Sequence, residues 1–249
     1  MPDPIPAATL VIFRPAVSGP PEILMVERAK AMAFAAGALV FPGGRIDPGD
    51  EALAALITPH QEDAGARIAA IRETIEEAGV AIGLHPAPDH ADIEAIRAGL
   101  HAGQPFAALL AAAGMTLDLT ALTALARWLP AHAHARIFDT RFFLARLPAD
   151  APIATVDETE NVRLRWATAA HVLADADAGA ATIIFPTRRN LERLARFADM
   201  DAAIADAHAH PIRTITPFVE VRGGVEHLCI PRDLGYPVTS EPLTAAVRG

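Results

Sequence analysis

Cysteine is nearly absent: the 249 residues contain one, Cys229. That excludes an intrachain disulfide framework and any zinc site built from several cysteines. It also points to a reducing compartment, with the cytoplasm as the expected location. A basic leader and a long apolar run are lacking too. The opening MPDPIPAATLVIFRP carries Asp3 and is broken by Pro2, Pro4 and Pro6, so neither a secretory signal nor a membrane span is expected there. Positive charge is in the minority. The net charge is -9 and the pI about 5.5. An acidic surface repels a nucleic-acid backbone, so nucleic-acid binding is not expected. A small anionic substrate stays accessible, because a metal ion can screen the charge locally. Internal repeats are missing as well.

What is present is ordinary globular material: 52% hydrophobic and 20% charged residues, with abundant helix-favouring alanine. The length fits one large domain, or one domain with an inserted subdomain. ATLVIFR (7–13), EILMVER (22–28) and ALVF (38–41) read as strands, the first two pairing as a hairpin around the turn SGPPE. AGARIAAIRETIEEAG (64–79) reads as a helix: Ile68, Ile71 and Ile75 form one apolar stripe and Gly79 is a good stop. Residues 85–130 suggest a mainly helical insertion. DTRFFLARLP and VRLRW return to strand character, helices follow near 168–175 and in PTRRNLERLARFADM, and ITPFVEVRGGVEHLCIP reads as a hairpin turning at Gly223-Gly224. Strands mixed with helices, without regular alternation, indicate an α+β or mixed-sheet sandwich.

The chemistry concentrates in RETIEEAGV (72–80). Residues at i, i+3 and i+4 share a helix face, so Glu73, Glu76 and Glu77 project together. Clustered carboxylates suit a hard divalent cation such as Mg²⁺ or Mn²⁺, whereas an isolated ExxEE is more often a solvated helix face. Upstream, FPGGRIDPGD (41–50) leaves a strand through a double glycine, whose exposed carbonyls and amides can serve a metal or a phosphate.

Together these pieces resemble the Nudix box, G-x5-E-x7-R-E-U-x-E-E-x-G-U, where U is a bulky aliphatic residue. Gly44 matches its first glycine, Asp50 stands at its first glutamate, and Arg72, Glu73, Glu76, Glu77, Gly79 and Val80 match the remainder, with Thr74 at the first aliphatic position. Residues 51–71 fill the place of x7. The interruption, and LMVERAKAMAFAAGALVFPGGRID (24–47), resemble the branch that includes peroxisomal-type coenzyme A diphosphatases. Ala33 and Ala35 stand where that branch's signature has Arg and His.

The resemblance implies one Nudix domain over residues 1–249, an α/β/α sandwich with a mixed sheet, a loop insertion at 51–66 and the helical insertion at 85–130. It implies a metal-dependent diphosphatase acting on a nucleoside diphosphate derivative, with CoA or acyl-CoA as the first substrate and ADP-ribose or dinucleotide-type diphosphates as alternatives. A non-catalytic nucleotide sensor is the other class, whose sign would be loss of the box glutamates. By motif position, Glu73, Glu76, Glu77 and the Gly44 carbonyl are expected metal ligands, with Glu76 and Glu73 also in catalytic roles. Glu158 or Glu160, in VDETENVRLRW, is the expected acidic group outside the box. Arg28, Arg45 and Gly43 are expected at the substrate. Asp50, Arg72 and Gly79 are structural, Arg72 through an ion pair holding loop against helix. The expected partner is a small-molecule diphosphate, and a homodimer fits the family.

Other features read as structure. His132 with His134, and His208 with His210, have strand-chelate spacing but lack a cysteine partner nearby and are not read as a zinc site. Arg188, Arg189, Arg193 and Arg196 read as a solvated basic helix face. Cys229, Trp128 and Trp166 read as packing residues.

Overall fold

The computed structural model describes residues 3–31, 35–130, 137–157 and 160–246. In chain order it forms β1 (Ile5–Arg14), β2 (Glu22–Arg28), β3 (Leu39–Val40), β4 (Gly43–Arg45), α1 (Pro48–Ile57), α2 (Ala64–Ala78) and β5 (Leu84–His85). There follow α3 (His90–His101), α4 (Phe106–Ala113), β6 (Thr116–Leu117), β7 (Thr123–Trp128), β8 (Phe138–Arg146) and β9 (Asn161–Thr168). The C-terminal part holds α5 (Ala169–Asp177), α6 (Phe185–Leu194), α7 (Met200–Ala209), β10 (Thr214–Ile215), β11 (Phe218–Arg222), β12 (Val225–Cys229) and β13 (Ser240–Pro242).

The near-continuous apolar run of β1 decides the layering. Ala8, Leu10 and Ile12 enter one core with Ile68, Ile71 and Ile75 of α2 and residues of α3 and α4. Val11 and Phe13 enter a second core with residues of α5, α6 and α7. A strand buried on both faces needs a cover on each side, and the result is an α/β/α sandwich. The main sheet is mixed, in the order β10-β7-β8-β1-β2-β3, with β4 also on β1 and β9 also on β2. β11, β12 and β13 make a separate three-stranded sheet. The hairpin turn there has positive φ at both Gly223 and Gly224, the backbone that a two-residue turn needs.

The expected β1–β2 hairpin forms, antiparallel over Phe13↔Ile23 and Arg14↔Glu22, and several other local expectations are corrected. β1 otherwise pairs in parallel with β8, and the strands splay because β4 fills the gap, pairing with Ala7, Ala8 and Thr9. The segment 51–66 is largely helical: Pro48 at the start of α1 pre-sets φ for a helix, and the Asp47 N–H donates to Asp50 at 2.9 Å. Within 85–130 the α-helices end at Ala113, a single 3-10 turn follows at Leu119–Ala121, and Thr123–Trp128 forms a strand inside the main sheet. α7 forms in the alanine-rich segment MDAAIADAHA. His208 lies on α7 and His210 caps it. On a helix, i and i+2 diverge, so the pair has lost its strand-chelate geometry. The region of His132 and His134 lies outside the described residues.

The basic face of α6 is also corrected. Arg189 and Arg193 are each 1% exposed. Arg189 pairs with Glu192 at 2.8 Å and Glu241 at 3.0 Å, and Arg193 with Asp206 at 2.8 Å. These pairs tie α6 to β13 and α7. Cys229 and Trp128 are buried, with the Trp128 indole donating to the Tyr236 hydroxyl at 3.1 Å. Trp166 lies beneath the Arg14 guanidinium.

Candidate active site

α2 is the platform. Ile68, Ile71 and Ile75 are fully buried and fix its rotation about its own axis. Thr74 is tolerated at an aliphatic position because its hydroxyl donates to the Ala70 carbonyl at 2.7 Å, which satisfies the one polar atom it brings. Gly79 ends the helix in the left-handed conformation, φ 61°, with its N–H donating to Ile75.

Strand β4 is the second wall. The Gly43 N–H donates to Glu77 Oε2 at 2.9 Å. A Cβ on Gly43 would stand 2.3 Å from the Ala8 carbonyl oxygen, and one on Gly44 would meet the Glu73 carboxylate at 2.4 Å. Glycine at 43 lets β4 lie close against β1, and glycine at 44 lets it lie close against the Glu73 carboxylate. Glu77 is 5% exposed, so although it lies off the isoleucine stripe it is a buried group rather than part of a solvated helix face. α2 is packed on most of its circumference, so i+4 turns inward under β4. Burial pushes Glu73 up to about 7, against the pull of Arg72 and with the push of Glu76. Burial, then the Glu73 charge, pushes Glu77 up to about 8.

Arg72 knits loop to helix. Its Nε and Nη2 donate to Asp50 at 3.0 and 2.9 Å, Nη1 to Glu73 at 2.8 Å, and Nη2 to the Arg45 carbonyl at 2.9 Å. Glu76, more exposed than its two neighbours, stands 3.5 Å from Nη1. Burial opposes the guanidinium charge, but Asp50 and Glu73 outweigh it and hold the pKa above the ordinary arginine value. The Arg45 side chain is exposed, and its contribution to this network is its carbonyl.

The third wall is the β2–β9 pair. Arg28 Nη1 lies 3.9 Å from Glu77 Oε1 and Nη2 lies 3.7 Å from Glu160. Thus Glu160 is brought to the rim of the site, while Glu158 lies outside the described residues. The Asp157 carboxylate accepts from the N–H groups of Glu160 at 2.7 Å and Asn161 at 3.2 Å, which folds this acidic loop. Arg97, from α3, donates to the carbonyls of Glu76 at 2.8 Å, Glu77 at 3.3 Å and Thr155 at 3.0 Å. One guanidinium therefore caps the Glu-bearing helix and pins the acidic loop to it.

The segment 53–194, more than half of the chain, matches the family model for the NUDT19 Nudix domain. The chain belongs to the Nudix family. A Nudix hydrolase from Alicyclobacillus acidocaldarius is similar at 29% identity and a TM-score of 0.70, over 82% of this chain and 97% of that one. The MutT protein from Methanosarcina mazei Go1 is similar at 16% identity and TM-score 0.45, over 79% and 96%. An Ap4A hydrolase of C. elegans is similar at 16% and 0.39, over 82% and 95%. A comparison with curated proteins finds no match. The protein is thus a Nudix pyrophosphohydrolase, and Glu73, Glu76 and Glu77 sit on its Nudix helix.

The Nudix helix offers hard oxygen donors beside the carbonyls of β4. Among the described residues no three acidic, His or Cys side chains converge as a closed metal cage. Mg²⁺ rarely takes such a cage; it is held by one or two carboxylates, substrate phosphates and water. Two crowded, desolvated carboxylates fit that mode.

Proposed function

We propose that this Nudix hydrolase uses Mg²⁺ or Mn²⁺ to cleave the diphosphate linkage of a nucleoside diphosphate derivative, with CoA or acyl-CoA as the leading substrate. The observation that carries the metal is the pair Glu73–Glu77. Both carboxylates are drawn out of water against β4 and titrate well above the ordinary glutamate value, and a divalent cation would relieve their repulsion. The bound ion supplies charge neutralisation for the diphosphate and a water of lowered pKa.

Glu73 and Glu77, with the Gly44 or Gly43 carbonyl, would hold the cation. Glu76, the most exposed of the three glutamates, would share it or orient the attacking water. Glu160, or Glu158 in the same loop, would accept the proton of that water. Arg28 faces Glu77 and Glu160 together and is suited to a phosphate oxygen. Arg45 at the exposed edge of β4 is a second candidate. Arg72 and Asp50 touch no substrate in this scheme. They hold β4, α1 and α2 in register, and positioning dominates this chemistry.

The interrupted box and the 24–47 segment support the CoA reading. The single, buried, free cysteine supports a cytoplasmic location, and the acidic balance of the chain supports small molecules rather than nucleic acid as partners. Among the described residues no helix is long and apolar enough to cross a membrane. A homodimer is the assembly proposed.

The test is a panel of CoA, acyl-CoA, ADP-ribose, NADH and dinucleoside polyphosphates with Mg²⁺ or Mn²⁺, read by mass spectrometry of the products. Release of a phosphomonoester from CoA is expected. Preferential turnover of ADP-ribose would move the substrate class, and binding without turnover would favour a sensor. Glu77→Gln should abolish turnover while the protein stays folded, and full activity in that variant would sink the metal assignment.

A further inference from the structure

β2 and β9 run in register until the end of the ladder, where a bulge falls between Glu27 and Arg28 and sets Arg28 opposite Asn161. Bulges re-aim side chains, and they gather beside active sites. Here the bulge turns two polar residues inward at the place where Glu77 is buried. Asn161 is 0% exposed. Its amide is among the groups that stabilise the charged form of Glu77, yet neither Nδ2 nor Oδ1 has a partner at hydrogen-bond distance, and Arg28 Nε is equally without one. The register sets Asn161 opposite Arg28, whose guanidinium stands 3.9 Å from Glu77 Oε1, so the amide lies on the same side of the carboxylate without a closed hydrogen bond. A buried amide without partners costs the fold about 1–3 kcal/mol, and an apolar side chain of similar size would avoid that cost. Packing therefore gives no reason for asparagine at this position.

We infer that Asn161 is a positioning residue for the metal site: its Nδ2–H closes onto the Glu77 carboxylate when Glu77 turns one oxygen to the cation. Gly43 N–H already holds Oε2, Arg28 stands 3.9 Å from Oε1, and the amide supplies the remaining donor on that side. A ligating carboxylate needs such outer donors to fix its direction, and losing one typically weakens metal affinity 10–100-fold. The inference rests on the metal-dependent reading above.

The test uses the full chain and Mn²⁺ alone, titrated by calorimetry, with the metal-free thermal midpoint measured beside it. Asn161→Leu should bind Mn²⁺ about 10–100-fold more weakly than the parent. Its metal-free midpoint should be unchanged or raised, because two orphaned polar atoms are gone. Turnover lost in the variant should return as Mn²⁺ is increased. Asn161→Ala serves if the branched side chain does not pack. Unchanged Mn²⁺ affinity in the folded variant overturns the inference while leaving the metal site standing. A lowered metal-free midpoint in both variants, with affinity intact, would assign Asn161 to the fold instead. A parent protein that binds no Mn²⁺ would overturn the underlying reading first.

Discussion

Removing the Asp50 carboxylate tests whether the interruption of the box is bolted to the Nudix helix. Asp50 is 2% exposed and Arg72 7%, and the guanidinium meets the carboxylate through Nε at 3.0 Å and Nη2 at 2.9 Å. Deleting one member of a buried pair strands the other and costs about 3–5 kcal/mol. Two features adjust that figure in opposite directions. Arg72 keeps Glu73 and the Arg45 carbonyl, which favours the lower end. Asp50 also accepts from the Asp47 N–H at the start of α1, a capping contact of about 1 kcal/mol. Asp50→Ala should therefore lose about 3–4 kcal/mol. At about 2–4 °C per kcal/mol for a chain of this size, the thermal midpoint should fall by roughly 6–16 °C. The assay is a thermal scan followed by circular dichroism, with Arg72→Met and the double variant completing a cycle. Residues in one ion-pair network couple by about 0.5–3 kcal/mol, so the double variant should be clearly more stable than the sum of the single losses predicts. A midpoint for Asp50→Ala within about 2 °C of the parent would refute the bolted arrangement, as would strict additivity.

Three further outcomes are expected. Glu73 and Glu77 titrate near 7 and 8 in the fold, against an ordinary value of 4.5, so between about 4.5 and 8 the folded chain holds more protons than the unfolded one; the metal-free midpoint should fall as pH rises through that window and level off above it, and a Glu77→Gln protein with the same slope as the parent would refute the assignment. Arg97→Met strips donors from three carbonyls and should lose about 3 kcal/mol, with faster hydrogen exchange at the Gly79 and Thr155 amides; protection equal to the parent's at both amides would show that Arg97 does not clamp helix to loop. Gly43→Ala places a methyl 2.3 Å from the Ala8 carbonyl, so it should cost about 1–3 kcal/mol by overpacking and lower turnover by pushing β4 off Glu77, whereas an unchanged midpoint and rate would mean that the strand has room to move.

Much of the site was legible because its parts are local. A glycine at 79, an isoleucine stripe and three glutamates at i, i+3 and i+4 are periodic features of one helix, and the double glycine needs only its own neighbours to be read. Signals for α1 were also present, with Asp47, Pro48 and Asp50 forming a helix start ahead of EALAALI; reading 51–66 as a loop gave the box spacing precedence over those start residues. What the sequence could not carry was non-local. Nothing in FPGG says that β4 pairs with Ala7–Thr9, and without that pairing Glu77 has no reason to be buried.

Non-local contacts also decide which polar residues belong to the site. Arg97 sits in a helical insertion that composition alone makes look accessory, yet it is the residue that caps the Nudix helix. Arg28 and Asn161 are distant in sequence and meet only because β2 and β9 pair, with a bulge at their last rung. Their common signal is an energetic mismatch: a buried amide and a buried guanidinium nitrogen, each without a partner, beside a carboxylate that burial has stripped of water. Polar groups left in that condition at a sheet terminus are costly to the fold alone, and the role proposed for them beside a cation would account for that cost. The Glu77 carboxylate that crowds one turn of helix in the sequence is therefore met by groups drawn from β2 and β4, while α3 holds the backbone carbonyls of the same turn.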